Sequence, residues 1–95
     1  MTKDIKLTYL KKPKKFLDKH KSTITEDEVD ELIIKFIKHK FYHIDTNIDY
    51  KQLKGVSSTL YRIRGNIRII ISIIDNQIII EAIVKDIGFR GGIYK

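Results

Sequence analysis

The chain contains no cysteine. It therefore has neither a disulfide framework nor a thiolate metal site, which suits a reducing cytoplasm. Long apolar runs are missing as well. No stretch of about eighteen residues is free of charge, and the opening MTKDIKLTYLKKPKK has no signal-peptide apolar region, so a soluble cytoplasmic protein with no membrane span is expected. Acidic residues are outnumbered, twelve Asp and Glu against nineteen Lys and Arg, for a net charge of +7. That balance favours a nucleic acid, an anionic membrane or an acidic protein as partner and does not choose among them. The 95 residues make one domain, 1–95, whose single core buries roughly two thirds of the unfolded chain's surface.

The chain is organised around its last third, LYRIRGNIRIIISIIDNQIIIEAIVKDIGFRGGIYK, which reads as three strands with two tight turns and an arginine- and tyrosine-bearing tail. Side chains alternate along a strand. In the first strand Tyr61 and Ile63 share one face, and Arg62 and Arg64 the other. In the second, Ile67, Ile69, Ile71 and Ile73 form one apolar face, opposite Arg68, Ile70, Ser72 and Ile74. In the third, Ile78, Ile80, Ala82 and Val84 form another, opposite Ile79, Glu81, Ile83 and Lys85. Asp75-Asn76-Gln77 has turn composition. An even-numbered loop there makes the two apolar faces coincide, and the other face then carries Arg68, Ser72, Glu81 and Lys85. Glu81 on that face is expected to hold Arg68 or Lys85 as an ion-pair partner.

The apolar face needs a cover, and the N-terminal half supplies one. Ile5 to Leu10 alternate as a short peripheral strand. Pro13, the one proline, suits a first helical turn, where its missing N–H would be unpaired anyway; a first helix is expected from Pro13 to about His20. Its lysine run, Lys11, Lys12, Lys14, Lys15, Lys19 and Lys21, is either a solvated face or a phosphate track. Thr25-Glu26-Asp27-Glu28 is a capping box, and acids at its start with Lys35, Lys38, His39 and Lys40 at its end match the helix dipole. The second helix, about Glu26 to Lys40, carries Val29, Leu32, Ile33, Phe36 and Ile37 as one apolar stripe. Phe41 to Gly55 has no steady period and reads as a connecting segment. His39 and His43 have no third ligand at suitable spacing, so no metal site is expected.

The order strand, two helices, three-stranded antiparallel meander, together with Leu53-Lys54-Gly55, Leu60-Tyr61-Arg62-Ile63-Arg64, Ile67-Arg68-Ile69-Ile70 and the tail Gly88-Phe89-Arg90-Gly91-Gly92-Ile93-Tyr94-Lys95, resembles the RelE/ParE toxin superfamily over nearly the whole length. The resemblance implies an α+β fold in which one twisted sheet carries its helices on one face. It also implies a toxin of a type II toxin–antitoxin pair: on the RelE side, an mRNA interferase, an endoribonuclease that cuts mRNA in the 30S A site of the ribosome without metal or cofactor. The implied catalytic residues are Arg64, Arg68, Arg90 and Tyr94, and the implied RNA-binding residues are Lys51, Lys54, Arg62, Lys85 and Phe89. Many relatives have histidine where this chain has Phe89, which can stack on a base but cannot transfer a proton. Gly91-Gly92 stands where relatives often carry charge. A two-residue Gly65-Asn66 turn sends Arg68 to the face opposite Arg62 and Arg64, whereas a three-residue turn gathers all three. The partners implied are a cognate acidic antitoxin, mRNA and the ribosome, with the free toxin a monomer. The alternative within the same resemblance is a ParE-like inhibitor of DNA gyrase that cleaves nothing.

Overall fold

The computed structural model describes residues 4–53, 60–64, 67–76 and 78–89. Its elements are β1 (Asp4–Tyr9), α1 (Lys11–Lys19), α2 (Glu26–Phe41), β2 (Asp49–Gln52), β3 (Leu60–Arg64), β4 (Ile67–Asp75) and β5 (Ile79–Phe89). The strands form one sheet in the order β1-β5-β4-β3-β2. β1 runs parallel to β5, and the other neighbours are antiparallel. The meander is therefore extended at both edges, to five strands.

The additional strand is β2, which lies inside the segment expected to be a connection. Its four residues, DYKQ, place only Tyr50 against the core, where the ring meets Phe36 at 4.9 Å and Tyr61 at 6.4 Å. A short edge strand with one apolar side chain has no hydrophobic period to read. β1 is the opposite edge, peripheral as expected.

α2 begins as its capping box dictates. The Thr25 hydroxyl accepts from the Glu28 N–H at 3.2 Å, and Glu28 Oε1 accepts from the Thr25 N–H at 3.3 Å. Val29, Ile33, Phe36 and Ile37 are fully buried against Tyr61, Ile63, Ile69, Ile71, Ile80, Ala82 and Val84 in a single cluster. Complete burial of side chains of that size stabilises the fold by about 1.5–3 kcal/mol each. α1 starts two residues before Pro13, which sits in the first turn where no hydrogen bond is lost, and buries Pro13 and Leu17. Tyr9 at the end of β1 donates from its hydroxyl to Asp30 of α2, tying the edge strand to the helix layer.

Two register features shape the uncovered face. β4 and β5 pair Ile71 with Val84 but Ile70 with Asp86, leaving Lys85 as the extra residue of a β-bulge. The bulge flips the later alternation of β5, so Ile87 returns to the core and Gly88 lies opposite Arg68. Ile70, on the face away from the helices, is nevertheless buried, flanked in register by Arg62 and Asp86.

Candidate functional site

The pairing of β3 with β4 decides where the arginines go. Leu60 pairs with Ser72, Tyr61 with Ile71, Arg62 with Ile70 and Ile63 with Ile69. Carried one step further, this register sets Arg64 opposite Arg68. In this register Arg62, Arg64 and Arg68 share one sheet face, which no helix covers among the described residues. Residues 65 and 66 themselves lie outside the described residues.

On the other side of β3, β2 adds Lys51 opposite Arg62 and Asp49 opposite Arg64. Asp49 Oδ1 accepts from an Arg64 terminal nitrogen at 2.7 Å. Four cations thus occupy adjacent positions on three strands with one carboxylate paired among them. Like charges directly opposite on neighbouring strands repel, and Lys51 with Arg62 and Arg64 with Arg68 are two such pairs. All three arginines are half-buried, and the Nε of each is buried without a hydrogen-bond partner among the described residues. A buried donor without a partner is costly. The arrangement is unfavourable by itself and suited to anionic oxygens, which a guanidinium can bind in a bidentate fork.

The carboxylates nearby are engaged elsewhere. Glu81 accepts from the Thr8 hydroxyl at 2.7 Å and lies 3.9 Å from Lys6. The expected pairing of Glu81 with Arg68 or Lys85 is therefore replaced by contacts to β1: Glu81 lies opposite Lys6 of β1 and Ile74 of β4, whereas Arg68 lies far along β4 opposite Gly88. Asp86 accepts from Lys12 at 2.9 Å. In the lysine run of α1 and the turn after it, Lys12, Lys14 and Lys21 pair with Asp86, Glu26 and Asp18.

The remaining expected site residues are dispersed. Lys85 is exposed at the bulge. Phe89 pairs with Ile67 at the end of β5, and its ring turns to the helix side, 5.2 Å from Phe16 and edge-on to His20 at 4.9 Å. Lys54, Arg90 and Tyr94 lie outside the described residues. Sequence reasoning missed His20, whose place at the end of α1 becomes significant only when β5 brings Phe89 beside it, and Asp49, hidden in the unrecognised β2. Next to Phe89, a cavity of about 390 Å³ opens between the α1–α2 corner and the sheet end, lined by Thr23, Ile24, Glu28, Leu32, Ile63, Arg64, Ile67 and Phe89. Arg64 thus belongs both to this cavity and to the cationic face.

No family model and no curated protein matches the sequence. The fold does have solved relatives. It is similar to a copper-bound mutant toxin from Helicobacter pylori at 18% identity and a TM-score of 0.65, over 94% of this chain and 98% of that one. It is also similar to a YoeB/ParE toxin from Agrobacterium tumefaciens at 16% identity and a TM-score of 0.61, over 90% of this chain and 98% of that one. Both of these structural neighbours are toxins, and at such identities the likeness establishes a shared fold.

Proposed function

We propose that this chain is the toxin of a type II toxin–antitoxin pair and cleaves mRNA at the ribosome without a metal ion. The observation that carries this reading is the register that gathers Arg62, Arg64 and Arg68, with Lys51, on one open sheet face while leaving the arginine Nε donors unpartnered. In the reaction, the substrate's 2′-oxygen attacks the adjacent phosphorus, the 2′-proton is withdrawn, and the 5′-oxygen leaves and takes up a proton, so the strand ends in a 2′,3′-cyclic phosphate. The protein's main contribution is fixed positive charge where the phosphorane develops negative charge. Arg68 and Arg64 supply it from facing positions, and Arg62 and Lys51 hold the flanking phosphates. The resemblance to the RelE side of the superfamily gives Arg90 the role of phosphate binder and Tyr94 that of base-orienting residue. The partner that restrains this face is an acidic antitoxin, by charge complementarity.

One observation favours a second reading. Three carboxylates on or beside the sheet face of the arginines are committed: Asp49 to Arg64, Glu81 to Thr8 and Asp86 to Lys12. A face rich in cations and poor in proton-transfer groups also suits a ParE-like toxin that binds DNA gyrase and performs no cleavage. Primer extension on mRNA from cells expressing the protein, beside Arg68→Ala and with plasmid supercoiling assayed in the same cultures, separates the two. Discrete cuts that fall by about 100-fold in Arg68→Ala support the nuclease. Equal cutting by the variant removes Arg68 from the mechanism, and intact mRNA with lost supercoiling transfers the protein to the gyrase class.

A further inference from the structure

The cavity between the α1–α2 corner and the sheet end is not needed to bind a phosphate backbone, yet it adjoins the cationic face at Arg64. Its walls are chemically two-sided. Ile24, Leu32, Ile67 and Phe89 make it apolar, while Glu28 and Arg64 are its charged groups. Phe89 is 41% exposed, but its ring is held from α1 by Phe16 and by a T-shaped contact with His20. An exposed aromatic ring that is held in place is a stacking surface with little ordering left to do. Glu28 uses Oε1 to close the capping box with Thr25, and Oε2 takes no part in it. The volume, about 390 Å³, lies in the range of small-molecule pockets and admits a bicyclic base.

We propose that this cavity receives one unstacked purine base of a bound RNA strand, with Phe89 as its stacking wall and the Glu28 carboxylate accepting hydrogen bonds from base N–H groups. The inference rests on the reading of the cationic face as an RNA surface and adds to it where the base goes and which base is preferred. Guanine presents two adjacent kinds of donor, the ring N1–H and the exocyclic amine, and matches a carboxylate best. A strand whose phosphates cross Arg64 and Arg68 has a nucleotide at the cavity mouth, because Arg64 lines both. Single-stranded RNA is read in this way in general, by splaying a base onto an aromatic ring and hydrogen-bonding its edge.

The test uses the full-length protein and short 2′-O-methyl oligouridines, which cannot undergo 2′-attack, carrying at one central position guanine, uracil or an abasic site. Binding is followed by fluorescence anisotropy at fixed salt. Wild type is expected to bind the guanine oligomer about tenfold more tightly than the uracil or abasic ones. Thr23→Trp, which fills the cavity from an exposed position, is expected to abolish that preference while leaving affinity for the all-uridine oligomer within about twofold, and Phe89→Leu is expected to abolish the preference as well. Glu28→Gln retains the capping-box chemistry and is expected to reduce the preference for guanine. No guanine preference in wild type, or a preference that survives in both Phe89→Leu and Thr23→Trp, overturns the base pocket even if binding to the all-uridine oligomer is strong. Failure of the underlying RNA reading has a different signature: no oligomer binds, or Arg68→Gln leaves every affinity unchanged.

Discussion

If the face of β2, β3 and β4 is built for an anion, it is destabilised when none is present, and removing one of its charges should make the free protein more stable. Arg68→Gln is the informative change, because glutamine keeps a polar end and much of the stem while deleting the charge. In register, Arg68 faces Arg64, and Arg62 next along β3 faces Lys51. A directly opposed like-charge pair costs roughly 0.2–1 kcal/mol, and the Nε of Arg68 is a further buried donor without a partner. Arg64 is partly compensated by Asp49 at 2.7 Å, so only a fraction of the Arg64–Arg68 repulsion is recoverable. We expect Arg68→Gln to gain about 0.5–1 kcal/mol at low ionic strength, a rise in Tm of about 2–8 °C for a domain of this size. Thermal denaturation at low salt and at about 1 M salt, where the screening length is only about 3 Å, provides the check: the gain should largely vanish at high salt. A polyanion such as heparin should raise the Tm of wild type by mass action and that of the variant much less. A variant that is less stable at low salt, or whose gain is independent of salt, would show that Arg68 is an ordinary structural residue and refute the reasoning.

Two further perturbations probe the scaffold that holds the face. Burial, the hydrogen bond to Asp30 and the nearby carboxylates Asp30, Glu26 and Asp27 push the Tyr9 phenol well above its ordinary range. The folded state keeps that proton after the unfolded chain begins to release it near pH 10, so the contribution is complete below about pH 10 and is lost as pH rises further. Urea denaturation at pH 8 and at pH 11 should show wild type losing stability relative to Tyr9→Phe; parallel behaviour of the two proteins would remove Tyr9 as the linkage group. Thr25→Ala deletes the hydroxyl that accepts from the Glu28 N–H and should cost about 1 kcal/mol, read as a lower urea midpoint at unchanged slope. An unchanged midpoint would mean that the capping box contributes nothing to the fold.

The parts of the fold legible in the sequence are those where two independent signals coincide. α2 has both a capping box and a five-residue apolar stripe, and its structure starts at the expected residue. β2 had neither. The bulge at Lys85 was invisible because a single inserted residue leaves the composition of an isoleucine-rich strand unchanged. The relation of Phe89 to His20 required the docking of α1 on β5, a contact between residues far apart in sequence that no local pattern encodes.

The β3–β4 connection shows how the core settles what a turn leaves open. Gly65-Asn66 has the composition of a two-residue turn, yet that turn would pair Ile63 with Arg68. Tyr61 and Ile63 face the helices, so the same register would bring Arg68 and Ser72 into the core and push Ile67, Ile69, Ile71 and Ile73 to the open side. Since Ile71 pairs with Val84 and Ile73 with Ala82, the apolar face of β5 would have to turn outward with them. The cost, several large aliphatic side chains at about 1.5–3 kcal/mol each plus a buried charge, far exceeds any preference of a two-residue turn. Because side chains alternate with period two, a one-residue slip exchanges the faces of the whole strand. The hydrophobic pattern therefore selects the register that puts Arg62, Arg64 and Arg68 together, and the cationic face is a consequence of how the isoleucines must be buried.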